Sequence, residues 1–264
     1  MALYGFQTYP VSRLKEDSAA KAASYQSRVK QHDEHEKRTH YFTHLKDLLH
    51  EEILLPPGAP SELYSRENLC NAMEKAEKRY DARVGQVVRL SLPNHRAFTL
   101  TDWMGMVREF ASAAYTDPGR GVIVSIHEGR NADPRKNNPH AHLLITERAI
   151  LAEGLSSHKN RDWIRKDHLM TCRKLWADVQ NREYERKGLP DRVSHESNEV
   201  RGIDREPTVP LGRAAMALER KGVQTERGNR NRSIEAKNSE KEAQGRLRQS
   251  ERERIREQAF ERFR

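Results

Sequence analysis

The sequence predicts an α/β sandwich, and three observations carry the prediction. Two apolar runs bordered by histidine, Gly121-Val-Ile-Val-Ser-Ile-His127 and His140-Ala-His-Leu-Leu-Ile145, flank a segment rich in Gly, Asn, Asp, Pro and Lys, which reads as the loop of an antiparallel pair. Elsewhere, stretches with apolar residues at helical spacing alternate with shorter strand-like runs. No strand–helix–strand repeat is regular enough for a parallel doubly wound sheet.

Taken in order, Leu3 to Thr8 reads as a first strand. Asp17 or Ser18 can cap a helix through Ala19-Ala-Lys-Ala-Ala-Ser-Tyr25. Glu51 to Leu55 is a short strand stopped by Pro56-Pro57. Glu67 to about Tyr80 carries Leu69, Ala72, Met73 and Ala76 at helical spacing. Gln86 to Leu92 sets Val88, Leu90 and Leu92 against Val87, Arg89 and Ser91, a half-buried strand ended by Pro93. Thr101 to Tyr115 is an amphipathic helix, and the two histidine strands follow it. A helix from about Asp162 to Arg186 stops at Gly188-Leu-Pro190. Beyond Arg192 the chain turns polar, with a short helix from Leu211 to Lys221. From Arg227 to Arg264 both signs of charge alternate with almost no apolar residues, as in a solvated helix or a disordered tail. That pattern stops mid-run at Phe263-Arg264, which reads as a fragment of something longer.

The histidines are the most informative positions. Side chains two residues apart on a strand share a face, so His140 and His142 point one way and Ala141, Leu143 and Ile145 the other. His127 closes the preceding strand, and a strand's exit lies beside the entry of its hairpin partner. Three imidazoles converging without cysteine suit a divalent metal with open coordination positions, which serves catalysis more than structure.

Composition narrows the partners. The chain has 264 residues, with 48 Lys+Arg against 39 Asp+Glu and a net charge of +9, which favours an anionic partner, nucleic acid first. Cys70 and Cys172 lie far apart and form neither a zinc pair nor a disulfide framework, in keeping with a reducing cytoplasm. No apolar stretch approaches the roughly 20 residues needed to span a bilayer. The start, Met-Ala-Leu-Tyr-Gly-Phe, shows no basic region followed by a hydrophobic one, so no signal peptide is expected.

Several motifs agree on a family. Met1-Ala-Leu-Tyr, Ser18-Ala-Ala-Lys-Ala-Ala-Ser-Tyr25, His50-Glu-Glu-Ile-Leu-Leu-Pro56, Ala72-Met-Glu-Lys-Ala-Glu-Lys-Arg79, Asn138-Pro-His-Ala-His142 and Gly202-Ile-Asp-Arg-Glu-Pro-Thr208 occur in sequence, followed by Leu211-Gly212 and Glu219-Arg-Lys-Gly222. In this the chain resembles the MobA/MobL family of plasmid-mobilisation relaxases, members of the HUH endonuclease group. The resemblance covers most of residues 1–230.

It implies an α+β fold with a central antiparallel sheet flanked by helices, the histidine strands in the middle and a charged C-terminal helical extension. It implies a relaxase core at 1–192, its C-terminal part at 193–226 and the extension at 227–264. The implied activity is nicking of one DNA strand at an origin of transfer, attachment to the 5′ end through a phosphotyrosine, and later resealing. Tyr25 matches the nucleophile, and His127, His140 and His142 match the ligands of a divalent ion, Mn²⁺ or Mg²⁺. The implied partners are single-stranded origin DNA, accessory relaxosome proteins and a type IV secretion coupling protein. The implied location is the bacterial cytoplasm, with passage into the recipient cell alongside the DNA.

One departure stands out. Where the family often reads Glu-x-Glu-x-Ala-Leu-Pro, this chain has Val87-Val-Arg89-Leu-Ser-Leu-Pro93, so both expected carboxylates are replaced, one by a cation. Arg89, always protonated at working pH, cannot serve as a base but can contact phosphate. Arg28 and Lys30 are further candidates for backbone contacts to DNA. Asp33, Glu34 and Glu52 are candidate carboxylates for orienting a histidine or accepting a proton.

Two other function classes stand beside this one. A histidine-nucleophile nucleotide hydrolase needs a third alternate histidine where this chain has Leu144. A non-catalytic origin-DNA-binding autorepressor on the same fold is motivated by the loss of the two carboxylates.

Overall fold

The computed structural model describes residues 4–129 and 137–262. They fall into two compact units, Met1–His195 and Glu196–Arg264. In the first, the elements run β1 Phe6–Ser12, α1 Ala19–Ser27, β2 Lys30–Asp33, β3 Arg38–Tyr41, β4 Leu48–Leu54, α2 Arg66–Lys75 and β5 Arg83–Ser91. After these come α3 Leu100–Ala111, β6 Arg120–His127, β7 His140–Leu151, β8 Gly154–Lys159 and α4 Lys166–Arg186.

The main sheet is antiparallel throughout, in the order β1-β5-β7-β6-β4, with β8 paired to the far end of β7. The two histidine strands therefore occupy its centre. Alternation along the strands divides the core into two layers. Val88, Leu90, Val122, Val124, Ile126, Ala141, Leu143 and Ile145 cluster with Phe110 of α3 and Trp176 of α4 on one face. On the other face Val87, Ile123 and Leu144 cluster with Ala19, Ala20 and Ala23 of α1 and with Leu69 and Met73 of α2. The histidines share this second face, at the end of the sheet where α1 finishes.

Several boundaries differ from the sequence expectation for physical reasons. β1 begins at Phe6 and continues through Tyr9, Pro10 and Val11, which pair with Val87, Gln86 and Gly85. It is an edge strand, where a proline that cannot donate is tolerated. β4, the opposite edge, starts at Leu48 rather than Glu51, with a register shift between Leu48 and His50. α2 stops at Lys75, short of Tyr80, and α3 gives way at Ser112 to a π-helical turn over Ser112–Thr116. α4 begins at Lys166, after a separate 3₁₀ turn over Arg161–Ile164.

β7 runs to Leu151, well past Ile145, because its charged outer half is neutralised. Glu147 pairs with Arg83 at 2.6 Å and Arg148 with Glu77 at 2.8 Å. The hairpin β2–β3 and strand β8 lie where the sequence showed no strand pattern. Of the segment from Glu128 to Pro139, residues 130–136 lie outside the described residues, and the Asn138 N–H donates to the Gly129 carbonyl at 2.9 Å.

The second unit contains α5 Arg213–Arg220 and α6 Glu226–Arg262. The charged tail is thus helical, anchored at Asn231 and Asn238, whose amides exchange hydrogen bonds with the backbone of Val209 and Glu206 at 2.8–2.9 Å. No helix among the described residues is long and apolar enough to cross a membrane. Cys70 and Cys172 are free and buried.

Candidate metal and nucleophile centre

The hairpin register places His127 directly opposite His140, and His142 between Ser125 and Arg89. The three rings sit 5.0–5.1 Å apart, centroid to centroid, and all three side chains are buried. One ring nitrogen from each lies within 4.8 Å of the other two. Burial, with the cation Arg89 adding to it, pushes His140 down to about 4, and burial with the neighbouring Arg28 lowers His127. His142 falls to about 2, from burial and then from the neighbouring histidines and arginines. At neutral pH the cluster is three uncharged imidazoles, the form that donates lone pairs to a metal.

The hydrogen bonds define what each ring offers. The Asn138 carbonyl, at 2.7 Å, can only accept, so His140 carries its proton on Nδ1 and turns the Nε2 lone pair inward. His127 donates from Nε2 to the Gln26 carbonyl at 2.7 Å, while its Nδ1 accepts from Arg28 Nη2 at 3.1 Å. His142 Nδ1 is buried and has no hydrogen-bond partner among the described residues. A buried nitrogen left without a partner costs about 1–3 kcal/mol. A bound cation is the partner that His140 Nε2 and His142 Nδ1 fit, and His127 Nδ1 would join them by giving up its bond from Arg28.

Tyr25 reaches the same place from α1. Ser18 caps that helix by accepting from the Lys21 N–H, and the fully buried Ala19, Ala20 and Ala23 let its backbone approach the sheet. The tyrosine ring, 36% exposed, stands edge-on to His142 at 6.2 Å and to Phe42 at 5.4 Å. It is therefore open to a ligand arriving from solvent while its ring stands beside His142.

Arg28 closes the helix in a left-handed conformation, φ 58°, and this turns its side chain back over the Tyr25 ring at 4.6 Å. Its guanidinium binds both oxygens of Asp47, at 2.8 and 3.1 Å. Arg89 projects from β5 on the histidine face, half-buried, and no acid pairs with it among the described residues.

The other candidates lie elsewhere. Lys30 is exposed on the β2–β3 hairpin, over the Tyr41 ring at 5.6 Å. Asp33 is buried in that hairpin, bonded to the Glu36 amide, and Glu34 is exposed beside it. Glu52 is opposite Val124, on the α3 side of the sheet, and pairs with Arg108 at 2.8 Å and His50 at 3.3 Å. None of these three carboxylates is brought to the imidazoles.

The acid that is brought there is Asp47, 3.9 Å from His127 Nδ1. Burial alone would raise its carboxyl, but the hydrogen bond and charge of Arg28, with His127, hold it below the usual range. Asp47 directly precedes β4, and β4 pairs with the end of β6. Had the strand been started at Leu48, the sequence would have placed Asp47 beside His127. Tyr4, a second tyrosine near the N-terminus, donates to the Arg173 carbonyl at 2.8 Å, and burial raises its hydroxyl.

An antiparallel sheet carrying three buried imidazoles on its central strands, with a helix-borne tyrosine against them, is the architecture that the resemblance to the MobA/MobL family implies. The model of the MobA/MobL family matches residues 17–221, and the chain belongs to that family. It is 28% identical over 280 residues to a probable mobilization protein MobA of Bifidobacterium longum, covering 90% of this chain and 48% of that one. It is 27% identical to a mobilization protein MobL of Acidithiobacillus ferridurans, covering 84% and 65%. The fold is similar to a solved structure described as "Molecular Basis of Vancomycin Resistance Transfer in Staphylococcus aureus", at 30% identity and TM-score 0.66, covering 74% of this chain and all of that one. The chain thus spans about half to two thirds of the length of the two mobilization proteins.

Proposed function

We propose that the protein nicks and rejoins one DNA strand at an origin of transfer, with Tyr25 as nucleophile. The observation that carries this reading is the exposed Tyr25 ring edge-on to His142 at the rim of three neutral, buried imidazoles. The Tyr25 phenol gives up its proton and its oxygen bonds to phosphorus. The bond from phosphorus to the 3′ oxygen breaks, and that oxygen takes up a proton. The strand's 5′ end is then held as a phosphotyrosine, and the reverse exchange reseals it without ATP.

Arg28 and Arg89 flank this point and offer charged N–H donors to the non-bridging oxygens. His127, His140 and His142 would hold a divalent ion, Mn²⁺ or Mg²⁺, and such an ion neutralises phosphate oxygens as charge builds on them. Lys30 adds a backbone contact further along the strand.

The test is incubation of single-stranded DNA from the element that carries the gene with the protein and Mn²⁺, followed by denaturing electrophoresis. The parent forms a covalent adduct at one site. Tyr25→Phe keeps the ring packing on Phe42, forms no adduct, and binds DNA within about twofold. An adduct persisting in Tyr25→Phe would remove Tyr25 from this role. A second reading, origin binding without cleavage, draws on the half-buried Arg89 at the imidazoles. It predicts specific binding with no adduct under any divalent ion.

A further inference from the structure

A second cluster of metal-ligating groups lies in the hairpin that follows α1. Asp33 ends β2, His40 lies in β3 and Glu36 sits in the turn between them. The Asp33 side chain is fully buried and that of His40 is 4% exposed. Asp33 uses Oδ1 to accept the Glu36 N–H at 2.9 Å, but its Oδ2 has no hydrogen-bond partner among the described residues. His40 Nε2 has none either, although it faces both carboxylates, 3.8 Å from Asp33 and 3.5 Å from Glu36.

These separations are too long for hydrogen bonds. They lie close to the spacing of about 3.3 Å between neighbouring ligands of a tetrahedral ion bound at 2.0–2.1 Å. The nearby Arg38 pairs with Glu36 at 3.4 Å from a largely exposed position, and such a contact is worth little.

We propose that Asp33, Glu36 and His40 form a second divalent-cation site, separate from the imidazole trio and suited to zinc. One imidazole and two carboxylates form a donor set that zinc accepts readily, whereas magnesium dehydrates reluctantly and favours oxygen alone. The bound ion ties the turn of the hairpin to β3. The chain leaves β3 at Tyr41 and places the next residue, Phe42, against the Tyr25 ring. The ion therefore braces the wall on which Tyr25 rests.

Zinc titration by calorimetry tests this on the whole chain, first as His140→Ala/His142→Ala, which silences the trio. That protein binds one zinc per chain, and excess magnesium does not displace it. Adding Glu36→Gln or His40→Gln weakens binding by at least about tenfold, the lower range for disturbing a metal's surroundings. Glu36 lies on an exposed turn, so its substitution leaves folding intact, and Asp33→Asn keeps the acceptor used by the Glu36 amide. Cobalt in place of zinc gives a visible absorption band in the His140→Ala/His142→Ala protein that His40→Gln removes. A His140→Ala/His142→Ala protein that binds no zinc, or zinc affinity unchanged by Glu36→Gln and His40→Gln together, overturns the proposal. Neither result bears on Tyr25 or on the trio.

Discussion

Lowering the pH from about 7.5 to about 5.5 during a metal titration interrogates the imidazole trio directly, because protons and metal compete for the same lone pairs. An imidazole in water titrates near 6.5, so over this range three such ligands would lose roughly tenfold each, about a thousandfold together. In this protein His140 titrates at about 4 and His142 at about 2, both driven down first by burial. A group titrating near 4 is still about 97% neutral at pH 5.5, so neither competes appreciably with the metal. His127 is lowered as well. Even a full unshifted contribution from it would limit the total loss to about tenfold.

The assay is calorimetry with Mn²⁺ on Asp33→Asn protein, so that only the trio is read, at both pH values. A loss of about a hundredfold or more would refute the desolvated cluster. The metal-free protein loses stability as pH falls, because these depressed values belong to the folded state alone. The unfolded chain takes up protons first as pH falls below about 6.5, so stability present above 6.5 is lost on the way down to 4. From 6.5 to about 4 for His140 corresponds to on the order of 3 kcal/mol at about 1.36 kcal/mol per pH unit.

Two further outcomes are expected. Arg13→Ala leaves the buried Glu74, which Arg13 reaches at 3.0 Å, with the Ala19 amide as its remaining partner. The cost is about 3–5 kcal/mol, or a melting point lower by about 6–20 °C, and a loss under 1 kcal/mol by denaturant melts would contradict the pairing. Arg89→Glu adds a carboxylate beside His142 and reverses a charge facing the strand. It should tighten Mn²⁺ binding while lowering the salt slope of single-strand binding by about 0.7 for the lost phosphate contact, and no change in either would leave Arg89 without a role.

The histidine centre was legible in the sequence because it rests on a period of two. His140 and His142 share a face in any strand, and His127 at the strand's exit meets them in any hairpin. The β2–β3 hairpin was hidden for the opposite reason. Its inward positions are Gln31, Asp33 and His40, so it has no apolar face to reveal its alternation. The outer half of β7 escaped notice because Glu147 and Arg148 look like loop residues until Arg83 and Glu77 are placed opposite them. Asp47 was missed through a strand boundary, since an edge strand begun three residues late leaves it in a loop. The role of Tyr25 rested on the family resemblance, as an alanine-rich helix does not by itself distinguish a nucleophile from a packing tyrosine.

The replacement at position 89 changes more than one contact. Among the described residues at the centre, Arg28 and Asp47 neutralise each other and the three imidazoles are uncharged, which leaves the positive charge of Arg89 without an acid paired to it. A carboxylate at that position would make the centre negative and favourable to a metal before DNA arrives. With arginine there, the metal must enter against like charge, and a phosphate bound nearby relieves the repulsion. On the proposed function, DNA and metal therefore bind with positive coupling, and linkage requires each to raise the other's affinity by the same factor.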